Sequence, residues 1–224
     1  MAAFGVLLSA CIIAFGLLIH FKIIANPFNS TGGRQGAVEF SLTREERLAS
    51  LQTGGSYSHE FTSRAQAVDT YERAISFFNT HRDEAARVNL NRILESNADD
   101  TLKNRALFLL SYLEAPTGFD NFRRADNIAF STVENDPFIY RDVHVIWQGS
   151  AVNVQTNDQG TSFELLVGND PRHLEGIAHV RFDHAVPLNL DRRLEVLGRI
   201  VLVENDRRIL LEGLAIHQSA RLEN

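Results

Sequence analysis

Apolar and polar positions alternate with three different periods along the chain, and each period predicts a different element. From residue 1 to 19 the only polar side chain is Ser9, and His20, Phe21, Lys22, Ile23 and Ile24 follow. A helix needs about 20 apolar residues to cross a hydrocarbon core. This run has that length, with Lys22 placed to snorkel to the interface, so it predicts a single membrane-crossing helix over 1–24. Two other membrane readings stay open. One is a secretory signal cut near Ala25, although no basic residues precede the apolar run. The other is a lipid anchor, because Leu8-Ser9-Ala10-Cys11 has small residues before a cysteine that would carry the lipid.

Residues 26–36 (NPFNSTGGRQG) are rich in Gly, Asn, Ser and Pro and predict a flexible tether. Helical spacing follows. Thr43 and Glu46 stand in capping-box positions, and Gly54-Gly55 ends that short pattern. Ser63 and Gln66 repeat the box ahead of Val68, Tyr71, Ala74, Ile75 and Phe78, which fall on one helical face. After a turn at 79–82, Ala86, Leu90, Ile93 and Leu94 form a second stripe. After 96–100, with its carboxylates Asp99 and Asp100 read as an N-cap, Leu102, Ala106, Leu109, Leu110 and Leu113 form a third. Pro116-Thr117-Gly118 stops it. Residues 120–134 predict one more helix or an irregular linker, broken by Asp136-Pro137.

Beyond Tyr140 the period falls to two. Five β-rich runs are predicted: 143–155, with Trp147 and a central Gly149, then 161–167, 176–182, 194–203 and 209–217. Turn signals separate them, among them Asn157-Asp158-Gln159-Gly160 and Gly168-Asn169-Asp170-Pro171. In the third run Ala178, Val180 and Phe182 face one way, and Ile177, His179 and Arg181 the other. A long first strand interrupted by Gly149 suits a small barrel, since glycine lets a strand bend round a corner. The expected architecture is α+β: a segment 1–24 for the transmembrane or signal helix, a linker with a short helix over 25–61, a helical region over 62–135 and a β-barrel over 136–224.

Composition narrows the function. The chain of 224 residues is 44% hydrophobic and 22% charged, with a formal net charge of -6. A nucleic-acid binder draws most of its affinity from a basic surface, so nucleic acid is an improbable partner. Cys11 is the only cysteine, which rules out an internal disulfide and any zinc site with more than one thiolate. His173, His179 and His184 cluster near Asp170 and Asp183. His179 and His184 lie an odd number of residues apart, so a regular strand would turn them to opposite sides, and they are read as surface histidines. There is no Gly-x-Ser-x-Gly elbow, no His-Glu-x-x-His helix and no phosphate-binding Gly-x-x-x-x-Gly-Lys loop. The chain is therefore expected to be no enzyme and to carry no cofactor, metal or catalytic residue.

Two resemblances add to this. The helical hairpin resembles a tetratricopeptide repeat: Ala74, Phe77 and Ala86 occupy its small, bulky and small slots, with Leu90 and Ile93 after them. Ala98 stands where the family has proline, and about one and a half repeats are visible. Solenoids need about three repeats to stand alone, so these helices should pack on the C-terminal domain. That domain resembles bacterial OB-fold proteins related to tRNA-anticodon-binding domains, of the kind fused to envelope leaders. The residues concerned are Tyr140-Arg141-Asp142-Val143-His144-Val145, Trp147-Gln148-Gly149, Phe163-Glu164-Leu165-Leu166-Val167-Gly168, Leu194-Glu195-Val196-Leu197-Gly198-Arg199-Ile200 and Leu211-Glu212-Gly213-Leu214-Ala215-Ile216. The resemblance implies a five-stranded barrel that binds and does not catalyse.

Together these readings predict a membrane-tethered, non-enzymatic adaptor of the bacterial cell envelope, single-pass, with its body in the periplasm on the strength of the resemblance. Lys22 and Arg34 after the apolar run favour the cytoplasm by the positive-inside rule, so the side stays open. Tetratricopeptide-like helices would offer Tyr71, Phe77 and Phe78 to a protein or peptide. The alternative is an extracytoplasmic OB-fold protein, secreted or lipid-anchored through Cys11, that binds a small molecule, glycan or cation. Its site would lie on the second and third strands, where OB barrels commonly bind, with His179 and Arg181 as the candidate residues.

Overall fold

Side-chain caps start three of the four helices between residues 44 and 110, and burial of one face holds the longer ones. The computed structural model describes residues 39–168, 173–202 and 209–218. Helix α1 (Arg44–Leu48) opens on a complete capping box: Thr43 Oγ1 accepts from Glu46 N–H, and Glu46 Oε2 accepts from Thr43 N–H at 2.7 Å. Arg105 also reaches Glu46 at 2.9 Å, and its guanidinium holds that carboxyl below the usual range. Helix α2 (Arg64–Asn79) begins at Ser63, and α4 (Asp100–Leu110) at Asp99, whose carboxylate accepts from Thr101 and Leu102 N–H. Between them, α3 (Asp83–Leu94) has no side-chain cap and takes its stability from packing. The inward stripes meet in one core of Ala67, Tyr71, Ala74, Ala86, Leu90, Ile93, Leu102 and Leu109. Helices α1 and α4 end earlier than the apolar pattern suggests, at Leu48 and Leu110.

Tyr71 lies at the centre of that core, fully buried, and its hydroxyl donates to the Phe40 carbonyl at 3.1 Å. Burial pushes its phenol up to about 12. An unfolded chain releases that proton near pH ~10, while the folded chain holds it. Stability is therefore full below about pH 10 and falls as pH rises towards 12. Tyr71→Phe should remove that alkaline loss. At neutral pH it should cost roughly 1–2 kcal/mol, because the Phe40 carbonyl loses its donor. Urea denaturation of both proteins at pH 8 and near pH 11 checks this, and a wild-type stability that is flat over that range contradicts it.

The segment expected as a helix or linker breaks into short turns: η1 (Phe119–Asn121), η2 (Arg124–Asp126), α5 (Phe130–Asn135) and η3 (Pro137–Tyr140). They pack onto the barrel. Asn127 exchanges two hydrogen bonds with the Ile146 backbone, both 2.8 Å, and Trp147 Nε1 donates to the Ile128 carbonyl at 2.9 Å.

Strands β1 (His144–Asn157), β2 (Gly160–Val167), β3 (Gly176–Phe182), β4 (Leu194–Leu202) and β5 (Ile209–Gln218) close into a barrel in the order β1-β2-β3-β5-β4. All pairings are antiparallel except β3 with β5, which is parallel. Gly149 is the corner of β1. It pairs with Val167 of β2 on one side and Leu194 of β4 on the other. Alternate residues point inward, and Val145, Trp147, Phe163, Leu165, Val180, Phe182, Val196, Ile200 and Leu211 fill the interior. Helix α3 is the element that docks the helical layer here. Val88 packs against the barrel core, and Asn91 Nδ2 donates to the Ile139 and Arg141 carbonyls at 3.1 and 2.7 Å.

The structure corrects the expected transmembrane helix. Among the described residues no helix is long and apolar enough to cross a membrane. The longest of them, α2, has 16 residues and a polar outer face. The run 1–24, on which the expectation rested, lies outside the described residues, as does Cys11. The membrane as partner, the single-pass location, the periplasmic placement of the body and the tethered-adaptor reading all depended on that helix and are withdrawn with it.

Candidate functional site

Barrel closure sets four side chains in one row across four strands. The register pairs His144 of β1 with Arg199 of β4, Arg199 with Glu212 of β5, and Glu212 with Arg181 of β3. The residues flanking each in its strand, such as Val145, Ile200, Leu211 and Val180, point into the core, so the row lies on the outer wall. Ion pairs link its last three members. Arg199 reaches Asp142 at 2.9 Å and Glu212 at 2.5 Å, and Arg181 reaches Glu212 at 3.4 Å. Its hydrogen bond to Glu212 keeps Arg199 protonated even more firmly than an ordinary guanidinium. Asp142 holds a positive φ of 61°, a conformation that aspartate tolerates better than most residues, and from there its carboxylate meets Arg199.

Helix α3 forms the facing wall. Glu84, only 7% exposed, accepts from the His144 backbone N–H at 2.7 Å and bonds His144 Nδ1 at 2.8 Å. A carboxylate can only accept, so Nδ1 is the donor of this bond. Arg87 stands one turn further along, 3.8 Å from Glu84. Between the two walls is a cleft of about 640 Å³ lined by Arg87, Asp142, His144, Arg181, Arg199 and Glu212, with Asp183 and Leu214 among its other lining residues. Asp183 is held below the usual carboxylate range by its hydrogen bond from His184. No aromatic side chain lines this cleft among the described residues.

Of the residues expected to form a site, only Arg181 comes to the cleft. His179 lies two positions along β3 and faces Glu164 of β2, 3.9 Å from its carboxylate. Tyr71 and Phe78 are buried in the helical core, Phe78 edge-on to Phe40 at 5.3 Å between ring centres. Phe77 is half-buried beneath the Arg82 guanidinium, 4.6 Å above its ring. A shallower depression of about 390 Å³ on the helical layer includes His59, Asp69, Arg73, Arg92 and Asp136. Burial, and then the charge of Arg92, push His59 below its ordinary value. Among the described residues no group of three or more His, Cys, Asp and Glu could hold a metal ion. Glu84, Arg87, Asp142, His144, Arg199 and Glu212 were not foreseen from the sequence. The one available signal was strand parity: His144, Arg199 and Glu212 are polar residues on outward positions, each beside an inward aliphatic residue, Val145, Ile200 and Leu211.

Fold and site define a class, an OB-fold β-barrel domain that follows a helical region. Residues 122–217 match the family described as Spirochaete C-terminal OB fold, and residues 49–110 match a domain of unknown function, DUF8514. The first match takes in α5 and η3, whose Phe130, Val133, Ile139 and Tyr140 belong to the barrel core. No curated protein matches the chain.

Proposed function

We propose that this chain is an OB-fold binding protein that takes a small polar molecule in the cleft between α3 and the outer wall of β4, β5 and β3. The observation that carries this reading is the row His144–Arg199–Glu212–Arg181, with α3 set over one end and the other end open. Salt bridges that serve stability alone gain little on an exposed wall. Here the charged row instead lines a concave space of ligand size, and Asp142 is held in an uncommon backbone conformation beside it. The absence of an aromatic platform speaks against a stacked sugar ring. On the second-and-third-strand face, His179 and Glu164 are 3.9 Å apart and lie outside this cleft.

Leu214 lines the cleft and is 38% exposed, so a larger side chain there can fill the space without entering the core. Molecules found by a thermal-shift screen to stabilise the wild-type protein should fail to stabilise Leu214→Trp, whose own melting temperature should be unchanged. If the stabilising molecules bind both proteins equally, the cleft is not the ligand site.

A further inference from the structure

We infer that the part of the ligand held in this cleft is a single oxyanion group, a carboxylate or a phosphate, and that Arg87 is its principal donor. This rests on the preceding reading of the cleft as a ligand site. The inference comes from counting donors against acceptors. Arg87 is largely buried, its side chain 14% exposed, and its Nε is buried with no hydrogen-bond partner. The nearest carboxylate is Glu84, at 3.8 Å, beyond hydrogen-bond reach. Both Glu84 oxygens are already engaged, one by the His144 backbone N–H and the other by Nδ1. That buried Nε is the atom nearest Glu84 and goes without a hydrogen bond, which is costly. Arg87 also lines the cleft, so an acceptor there would meet its remaining N–H donors.

The other two guanidiniums are also richer in donors than their partners are in acceptors. Arg199 spends one terminal nitrogen on Asp142 and one on Glu212, and Arg181 spends a single nitrogen on the same Glu212. Planar forks of this kind match the geometry of carboxylate and phosphate oxygens. The charges set the number of such groups. Arg87, Arg181 and Arg199 line the cleft with Asp142, Asp183 and Glu212, and Glu84 lies behind Arg87, so the walls carry no net positive charge. A polyanion would meet as much repulsion as attraction, whereas one oxyanion on an otherwise polar molecule uses the spare donors.

Arginine side-chain NMR reads the group directly. The full chain is titrated with inorganic phosphate in one arm and succinate in the other, with sodium chloride at matched ionic strength as reference. The Arg87 Nε–Hε resonance should move saturably with one or both probes and not with chloride. Movement with phosphate alone, or with succinate alone, identifies which oxyanion the cleft prefers. Arg87→Met keeps the aliphatic stem and should weaken the responding probe roughly tenfold or more. Arg181→Gln, on the exposed end of the row, gives a second reading should Arg87→Met fold poorly, and should weaken it as well. An Arg87 resonance indifferent to both probes, or an affinity unchanged in both variants, overturns the inference. If neutral molecules are still excluded by Leu214→Trp in that event, the cleft remains the ligand site and only the oxyanion is lost. If nothing distinguishes Leu214→Trp from wild type, the binding cleft itself is refuted.

Discussion

Glu84→Ala is expected to destabilise the protein by about 3–5 kcal/mol, the largest effect of any polar substitution in it. Glu84 is the one carboxylate of α3 that reaches the barrel backbone, and its side chain is 8% exposed. Removal leaves the His144 N–H and Nδ1–H without acceptors in a position where water has little access, since His144 is 3% exposed. It also strips Arg87 of its nearest negative charge. Each buried donor left unpaired costs about 1–3 kcal/mol, and the stranded guanidinium adds to that. In a chain of this size each kcal/mol lowers the melting temperature by roughly 2–4 °C, so thermal denaturation should show a fall of about 10 °C. Glu84→Gln keeps an acceptor for the backbone N–H and should lose less. A shift of under about 2 °C for the alanine variant would mean that contacts such as those of Val88 and Asn91 hold the helical layer to the barrel without it.

A similar loss should follow a change at a residue with no side chain at all. A Cβ at Gly149 would lie 2.1 Å from the Leu166 carbonyl oxygen and 2.8 Å from its carbon. Both are backbone atoms of the neighbouring strand and cannot rotate aside. Gly149 bridges β4 and β2 at the corner, so relief requires β1 to part from β2. Gly149→Val should therefore cost about 3 kcal/mol, at or beyond the upper end of ordinary overpacking. Thermal and urea denaturation both read it. Gly118→Ala is the control, because a Cβ there meets nothing within 4 Å and the backbone is extended, at φ 176°. Equal effects at the two glycines would show that the corner tolerates a side chain and that the register described here is wrong.

The fold was legible wherever its cause is local. Thr43 with Glu46, Ser63 with Gln66, and Asp99 start helices because an N-cap needs only a side-chain oxygen two or three residues from a free N–H. The alternation of Ala178, Val180 and Phe182 with Ile177, His179 and Arg181 announced a strand, because successive side chains in extended backbone must point opposite ways. Gly149 marked the bend, although the sequence could not say which atom excludes a side chain there. Helical periodicity placed Tyr71 and Phe78 on one face, but not what covers it. Phe40, whose carbonyl bonds Tyr71, precedes the helices and belongs to no periodic pattern.

The leader shows a different limit. Hydropathy measures how apolar a segment is, and it predicted a membrane helix for 1–24, a segment outside the described residues; the described helices contain no membrane span. What the chain determined by itself was the inventory of helices, strands and corners, since these follow from interactions within a few residues. Only tertiary structure decided the cleft. Arg181 meets Glu212 because β3 and β5 pair in parallel when the barrel closes, and Glu84 meets His144, 60 positions away in sequence, because α3 lies over β1. Neither meeting leaves a trace in spacing or composition, because strand order and helix docking are set by how whole faces fit together.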